Sequence, residues 1–138
     1  MRLLNINGRL VYKNVRPYLI DWERKSRSGL QYQVKQFFKN YSKTSCVYEE
    51  FPVYGSKMTI DILNATKKIA IEVQGEQHNQ YNNFFYKHRI DYFFAIKRDV
   101  QKAEWLEKNG FKLLELIRED IPKLSPEYIL KKFGIHII

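Results

Sequence analysis

TIDILNATKKIAIEVQGEQH, residues 59–78, is the segment around which the other elements of the chain are predicted to assemble. Residues 59–63 and 69–74 are short runs rich in β-branched side chains, and the polar stretch 64–68 separates them. Two such runs with turn residues between them are typical of a β-hairpin. The segment therefore predicts two antiparallel strands joined by a short turn.

One acidic residue interrupts each of these apolar strands, Asp61 in the first and Glu72 in the second. Both lie at similar distances from the centre of the turn near Lys67, so strand pairing is expected to place the two carboxylates side by side. Adjacent buried carboxylates repel each other unless a cation lies between them. Mg²⁺ is commonly bound by one or two carboxylates together with water and phosphate oxygens. The pair is a candidate metal site; the simpler interpretation is two strand-end acids that face solvent.

The order of these residues resembles the active-site core of the PD-(D/E)XK nuclease superfamily, in which an acid on one strand precedes an acid-x-Lys motif on the next. The resemblance is strongest to the very-short-patch-repair-endonuclease-like branch, whose active site is summarised as EDxHD. In that branch a Gly-containing turn and a His follow the hairpin. A later helix then carries an acid with a base three positions on, and ends at a Gly-aromatic pair. Over residues 27–118, the matching positions are Asp61, Glu72-Val73-Gln74, Gly75, His78, Asp99, Lys102 and Gly110-Phe111.

This resemblance implies an α/β fold with a restriction-endonuclease-like core. It also implies Mg²⁺-dependent hydrolysis of DNA phosphodiester bonds, with Mn²⁺ as a substitute metal. Asp61, Glu72 and the carbonyl of Val73 would hold the metal, which would activate water and neutralise phosphoryl charge.

The resemblance implies that a histidine transfers the proton, because Gln74 occupies the position at which the superfamily has a lysine. A glutamine can orient a water molecule but supplies no positive charge. His78, a residue type with an ordinary pKa of about 6.5, would be the general acid or base, oriented by Asp99. The simpler interpretations are a surface histidine in a polar loop and an aspartate stabilised by a helix dipole. The implied catalytic set is Asp61, Glu72, Gln74, His78 and Asp99.

The predicted first helix, residues 28–41, lacks the acid that this branch carries there. Ser28 is the predicted N-cap, with Gln31 three residues later in the spacing of a capping box. Gln31 and Gln33 give this helix amides, which can accept a hydrogen bond from a metal-bound water but bring no charge. Glu49 and Glu50, on the following strand, are the nearest substitutes and are interpreted as ordinary strand-surface acids.

The remaining elements are predicted from hydrophobic period and turn residues. Asn7-Gly8 between two short apolar runs predicts an N-terminal β-hairpin. The core is then a helix, a three-stranded antiparallel meander, a helix and a strand, followed by a C-terminal helix. The predicted bounds are 46–53, 58–63 and 68–74 for the meander, 111–117 for the last strand and Pro126–Phe133 for the final helix. One nuclease-like domain is expected, with an appendage over 1–26, a catalytic core over 27–118 and a tail over 119–138.

The second helix is the least defined of these elements, because residues 79–94 are rich in rings and amides without a clear period. Asp99 is expected in its first turn and Lys108 at its end. Val100, Ala103 and Leu106 are expected on its buried face.

The composition favours a folded, basic protein. The 138 residues include 24 Lys and Arg against 15 Asp and Glu, a net charge of +9, with an isoelectric point near 9.6. A basic balance of this size is typical of nucleic-acid-binding domains. Cys46 is the single cysteine, as expected in the reducing cytoplasm. No apolar run approaches the length of a membrane span.

The resemblance implies double-stranded DNA as the partner, and the basic charge agrees with it. A membrane is not expected, and a homodimer is the assembly considered. The residues expected to contact phosphates are Arg24, Lys25, Arg27, Lys87, Arg89, Lys97 and Arg98. Rings at Tyr18 and Trp22 lie among the first of these bases, and either contact nucleic acid or pack onto the core. Two other functions stay open: an inert nucleic-acid-binding protein on a nuclease scaffold, and a nuclease that acts on structured RNA.

Overall fold

The computed structural model describes residues 1–75 and 89–138, apart from the side chains of Arg89 and Tyr92. Within these ranges the fold is α/β, with a four-stranded mixed sheet and a separate two-stranded hairpin. The strands are β1 Arg2–Leu4, β2 Leu10–Tyr12, β3 Val47–Pro52, β4 Thr59–Asn64, β5 Ile69–Gln74 and β6 Lys112–Ile117. The α-helices are α1 Gly29–Lys39, α2 Arg89–Lys108 and α3 Pro126–Phe133, with 3₁₀ helices at Arg16–Tyr18 and Arg118–Lys123.

The four-stranded sheet has the order β3-β4-β5-β6, and the first three strands form the predicted antiparallel meander. β6 lies parallel to β5, with Glu72 in register with Glu115. A parallel pair needs a long crossover connection, and α2 lies within the connection between these strands. The meander and the final strand are therefore confirmed as predicted.

Each face of the sheet packs against helices and buries its own hydrophobic cluster. On one face, Phe51 and Ala70 pack with Trp105 of α2. On the other, Ile71 packs with Val34 of α1 and with α3. Burial of apolar area on both faces is the main term that stabilises such a layered fold.

The hairpin β1–β2 is confirmed and is anchored to the end of α2. The indole Nε1 of Trp105 donates to the carbonyl of Leu4 at 2.7 Å, and the Leu4 amide donates to Oδ1 of Asn109 at 2.8 Å. Gly110, with φ of +80°, follows the helix as a left-handed C-cap. Residues 1–12 are thus held against the core.

The prediction for α2 is wrong in two respects. The helix begins at Arg89, so Asp99 lies in its middle and the helix dipole does not explain an acid there. Val100 is 50% exposed, whereas Trp105 and Leu106 are buried. Residues 89–98 also belong to the helix, and the buried face of α2 includes Trp105 and Leu106 instead of Val100.

None of the helices in residues 1–75 and 89–138 has both the length and the apolar content needed to cross a membrane.

Candidate active site

Asp61 and Glu72 lie side by side across the β4–β5 ladder, as predicted. Ile62 pairs with Ile71, which places the next two residues, Asp61 and Glu72, opposite each other. The Asp61 amide donates to Oε2 of Glu72 at 3.0 Å, and the Val73 amide donates to Oδ2 of Asp61 at 2.8 Å. Both acids are buried, with 8% and 6% of their surface exposed. The strand-end, solvent-facing interpretation is therefore wrong.

The charges of the two acids are not balanced equally. Nζ of Lys102, on α2, lies 2.7 Å from Oε1 of Glu72. Burial and the neighbouring Glu72 raise the pKa of Asp61 to about 8, with a smaller contribution from Glu50 and partial opposition from the Val73 amide. Asp61 is therefore an acid that needs more positive charge than its described surroundings supply.

Glu50 extends the Asp61–Glu72 pair onto β3, so that Glu50, Asp61 and Glu72 form a carboxylate row across three strands. Its neighbours Glu49 and Phe51 pair with Ile62 and Ile60, so Glu50 lies opposite Asp61. Its φ of +52° is in the left-handed region, which is uncommon for a residue with a side chain. Unusual backbone conformations of this kind occur often at functional sites.

A buried polar cluster connects these β3 acids to α1. Nε2 of Gln31 donates to Oε2 of Glu49 at 3.0 Å and to Oε1 of Glu50 at 3.1 Å. Lys35, which is fully buried, donates to Oε1 of Glu49 at 2.8 Å and to the carbonyl of Arg24 at 2.8 Å. The interpretation of Glu49 and Glu50 as ordinary surface acids is therefore wrong. Helix α1, which lacks the expected acid, instead supplies the Gln31 amide and the Lys35 ammonium to the two acids of β3.

Sequence reasoning missed this cluster, although the sequence contains a signal for it. Gln31 and Lys35 are four residues apart and lie on one face of α1. That face also carries the buried Val34 and Phe38. Polar residues within an apolar helical stripe need partners inside the protein, and the adjacent acids Glu49-Glu50 were the available ones.

The basic segment before α1 lies beside these acids. Arg24, Lys25 and Arg27 are exposed, and Nη1 of Arg27 is 3.6 Å from Oε2 of Glu50. A cavity of about 90 Å³ is lined by this segment together with both β3 acids. The predicted phosphate-contacting bases of this segment are thus accessible next to the carboxylate row.

The two rings of this region pack onto the core. Tyr18 contacts Phe51 edge to face, with 5.9 Å between ring centroids, and Trp22 packs half-buried on the α1 side of the sheet. These contacts favour the structural interpretation of the rings.

The remaining predicted residues are placed in part. Gln74 is half-buried at the end of β5, two residues from Glu72 and therefore on the same side of the strand. Lys97, Arg98 and Asp99 lie on α2, with Lys97 and Arg98 exposed. His78, Lys87 and the side chain of Arg89 lie outside the described residues.

The two carboxylates of this site fit Mg²⁺, a divalent cation that needs few protein ligands. In residues 1–75 and 89–138, no three His, Cys, Asp or Glu side chains are grouped so that they alone could hold a metal. Asp61 and Glu72 do form a two-carboxylate set, and once Asp61 has lost its proton their combined negative charge exceeds the single charge of Lys102. Mg²⁺ typically takes one or two carboxylates and completes its shell with water and substrate phosphate.

Comparison with known proteins does not assign this chain to a family. No family model matches the chain, and no solved structure matches it. An uncharacterized protein, 033L of Invertebrate iridescent virus 3, is 31% identical over 65 residues, which is 47% of this chain. The match covers 34% of the viral protein, so it spans about a third of that relative's length.

Proposed function

We propose that the chain is a metal-dependent endonuclease that hydrolyses phosphodiester bonds of double-stranded DNA, on a restriction-endonuclease-like fold. The order α1, meander, α2 and β6 agrees with the order of elements that this fold requires. The observation that carries the proposal is the pair Asp61–Glu72. Both carboxylates are buried, Lys102 pairs with Glu72, and burial together with Glu72 raises the pKa of Asp61 to about 8. A site that is costly without a cation is a candidate for binding one.

Asp61 and Glu72, aided by the Val73 carbonyl, would hold Mg²⁺ or Mn²⁺. When bound, the metal supplies a water of lowered pKa and positive charge next to the phosphoryl group. Gln74, on the same side of β5 as Glu72, orients a water through its amide. His78, oriented by Asp99, is the general acid or base: it accepts a proton from the attacking water or donates one to the leaving oxygen.

The basic residues provide the DNA contacts in this proposal. Arg24, Lys25 and Arg27 are exposed beside the carboxylate row, and Lys97 and Arg98 are exposed on α2, the helix that carries Lys102. Neutralisation of phosphates by such side chains provides most of the affinity of proteins for DNA regardless of sequence.

The test is cleavage of a supercoiled plasmid with Mg²⁺, and then with EDTA. The wild-type protein is expected to nick or linearise the plasmid only with the metal. Glu72→Gln is expected to abolish cleavage and to leave DNA affinity equal or higher, because a negative charge is removed. Glu104→Gln, an exposed acid on α2, is the matched control and is expected to cleave normally. Cleavage that survives EDTA or Glu72→Gln would exclude the proposed site.

An inert DNA-binding protein on the same scaffold is the second candidate. The absence of a three-residue metal set among the described residues favours it, as does the lack of charge at Gln74. Salt-dependent DNA binding without cleavage under Mg²⁺ or Mn²⁺ would establish this alternative.

A further inference from the structure

Lys102 makes the closest described ion pair to the carboxylate row, and the proposed mechanism gives it no role. Its Nζ lies 2.7 Å from Oε1 of Glu72, while Oε2 of Glu72 accepts the Asp61 amide. Each oxygen of Glu72 therefore has a donor. A metal that binds Glu72 must replace one donor or share its oxygen.

The two donors differ in how easily they leave. The Asp61 amide is part of β4, so its withdrawal would separate two core strands. The Lys102 side chain is 22% exposed and ends a flexible four-carbon stem. The ammonium is consequently the donor that can move into water when a divalent cation takes its place beside Glu72.

Lys35 is the contrasting case within the same protein. It too pairs with a glutamate, Glu49, at 2.8 Å, but its side chain is fully buried and also holds the Arg24 carbonyl. Removal of Lys35 from its partner would leave buried charges without compensation. Lys35 is thus a permanent structural cation, and Lys102 is a replaceable one.

We propose that Lys102 is the resident counter-cation of the site. It neutralises Glu72 in the absence of metal and gives up Oε1 to a divalent cation that binds there. The charges support such an exchange, because a divalent ion balances Asp61 and Glu72 without the ammonium. Lys102 then sets the metal concentration at which the site fills. This inference rests on the proposed function only in its use of the metal site.

The experiment is a Mn²⁺ titration without DNA, followed by the electron paramagnetic resonance signal of free Mn²⁺. Lys102→Met keeps the stem and removes the charge, and is expected to lower the Kd for Mn²⁺ about tenfold, since a competing cation next to a ligand oxygen is removed. Lys108→Met, an exposed lysine at the end of the same helix, is the control and is expected to leave the Kd unchanged. Lys102→Arg keeps the charge and is expected to bind Mn²⁺ no more tightly than the wild type.

The outcomes separate this inference from the proposed function. Equal Mn²⁺ affinity in the wild type and in Lys102→Met would overturn the role of Lys102 and leave the metal site standing. No Mn²⁺ binding in either protein would overturn both. If Lys102→Met does not fold, Lys102→Arg decides, because tighter binding in that variant contradicts the exchange.

Discussion

Two buried aspartates show how differently this protein treats a negative charge. Asp120, 1% exposed, follows β6 and accepts hydrogen bonds from the Ile117 amide, the Tyr128 hydroxyl and the Lys132 ammonium. Asp61, 8% exposed, accepts the Val73 amide and lies among other carboxylates.

The pKa values follow from these partners. Burial raises the pKa of Asp120, but hydrogen bonds from Lys132 and Tyr128 lower it more, so it lies below the ordinary value. Burial and Glu72 raise the pKa of Asp61 to about 8. The charge of Asp120 is satisfied within the fold and stabilises it. The charge of Asp61 destabilises the fold until something from outside balances it, and this difference distinguishes a structural acid from a site acid.

The comparison predicts its largest effect in cleavage. Asp61→Asn is expected to abolish plasmid cleavage, because an amide is a poor ligand for the proposed metal. Asp120→Asn is expected to keep the wild-type rate per folded molecule, measured well below its melting temperature. A cleaving Asp61→Asn variant, or a folded but inactive Asp120→Asn variant, would break the distinction.

The next effect concerns the group that moves the proton. In the proposal the proton is transferred by His78 and not by Asp61 or Asp120. His78→Ala is therefore expected to reduce the rate by about 10²–10⁴, the usual contribution of a general acid or base. Asp99→Asn is expected to cost less, because it disturbs only the orientation of the imidazole. The double variant is expected to be little slower than His78→Ala alone, since groups that act together are not additive.

Single-turnover rates across pH measure this prediction. A severe loss in Gln74→Ala combined with a near-wild-type His78→Ala would contradict it, and would assign the histidine a structural role.

The sequence predicted the Asp61–Glu72 pair because both residues belong to one local hairpin. Strand period and turn position fix which residues face each other over so short a distance. The helix α3 was predicted with its observed bounds for a similar reason, since its amphipathic pattern is local. The structure adds the Ser125 cap at its start and Gly134 at its end.

The rest of the site depends on contacts between distant segments. The position of Glu50 follows from a left-handed backbone and from pairing with β4, and its contact with Gln31 joins two residues 19 positions apart. Lys102 reaches Glu72 from a helix that begins in a ring-rich segment without period. The apolar stripe of α1 signals that Gln31 needs a partner inside the protein but does not identify that partner, and no local pattern predicts that Lys102 reaches Glu72.

A smaller effect is expected on stability at Asp120. Asp120→Asn is expected to lower the free energy of unfolding at pH 7 by about 2–3 kcal/mol, less than for a fully buried ion pair because Lys132 is partly exposed. The lowered pKa means that Asp120 stabilises the fold above the unfolded value of about 4, and that this stability is lost as pH falls through the folded value. Urea unfolding at pH 7 and pH 3 measures the loss of stability and its pH dependence. Glu119→Gln, a substitution of the exposed neighbouring residue, is the control. A deficit that is as large at pH 3 as at pH 7 would contradict the assigned cause.

The smallest expected effect has the opposite sign and belongs to Asp61. In the unfolded chain its carboxyl loses the proton near pH 4, whereas in the folded chain it keeps the proton up to about pH 8. Between these values the folded state binds more protons, so stability falls as pH rises. Asparagine resembles the protonated acid: its oxygen still accepts the Val73 amide, and its NH₂ group donates to a neighbouring carboxylate.

Asp61→Asn is therefore expected to match the wild type at pH 4 and to exceed it at pH 8. The gain is limited to about 1–2 kcal/mol, less than the raised pKa of Asp61 alone would imply, because the ionised side chain can relax toward water. Mg²⁺ at pH 8 should raise the melting temperature of the wild type and not that of the variant, because only the wild type has two carboxylates for the ion to balance. The exposed Asp21→Asn serves as control, with no pH-dependent gain. If Asp61→Asn were less stable than the wild type at pH 8 without metal, Asp61 would be a satisfied structural acid like Asp120.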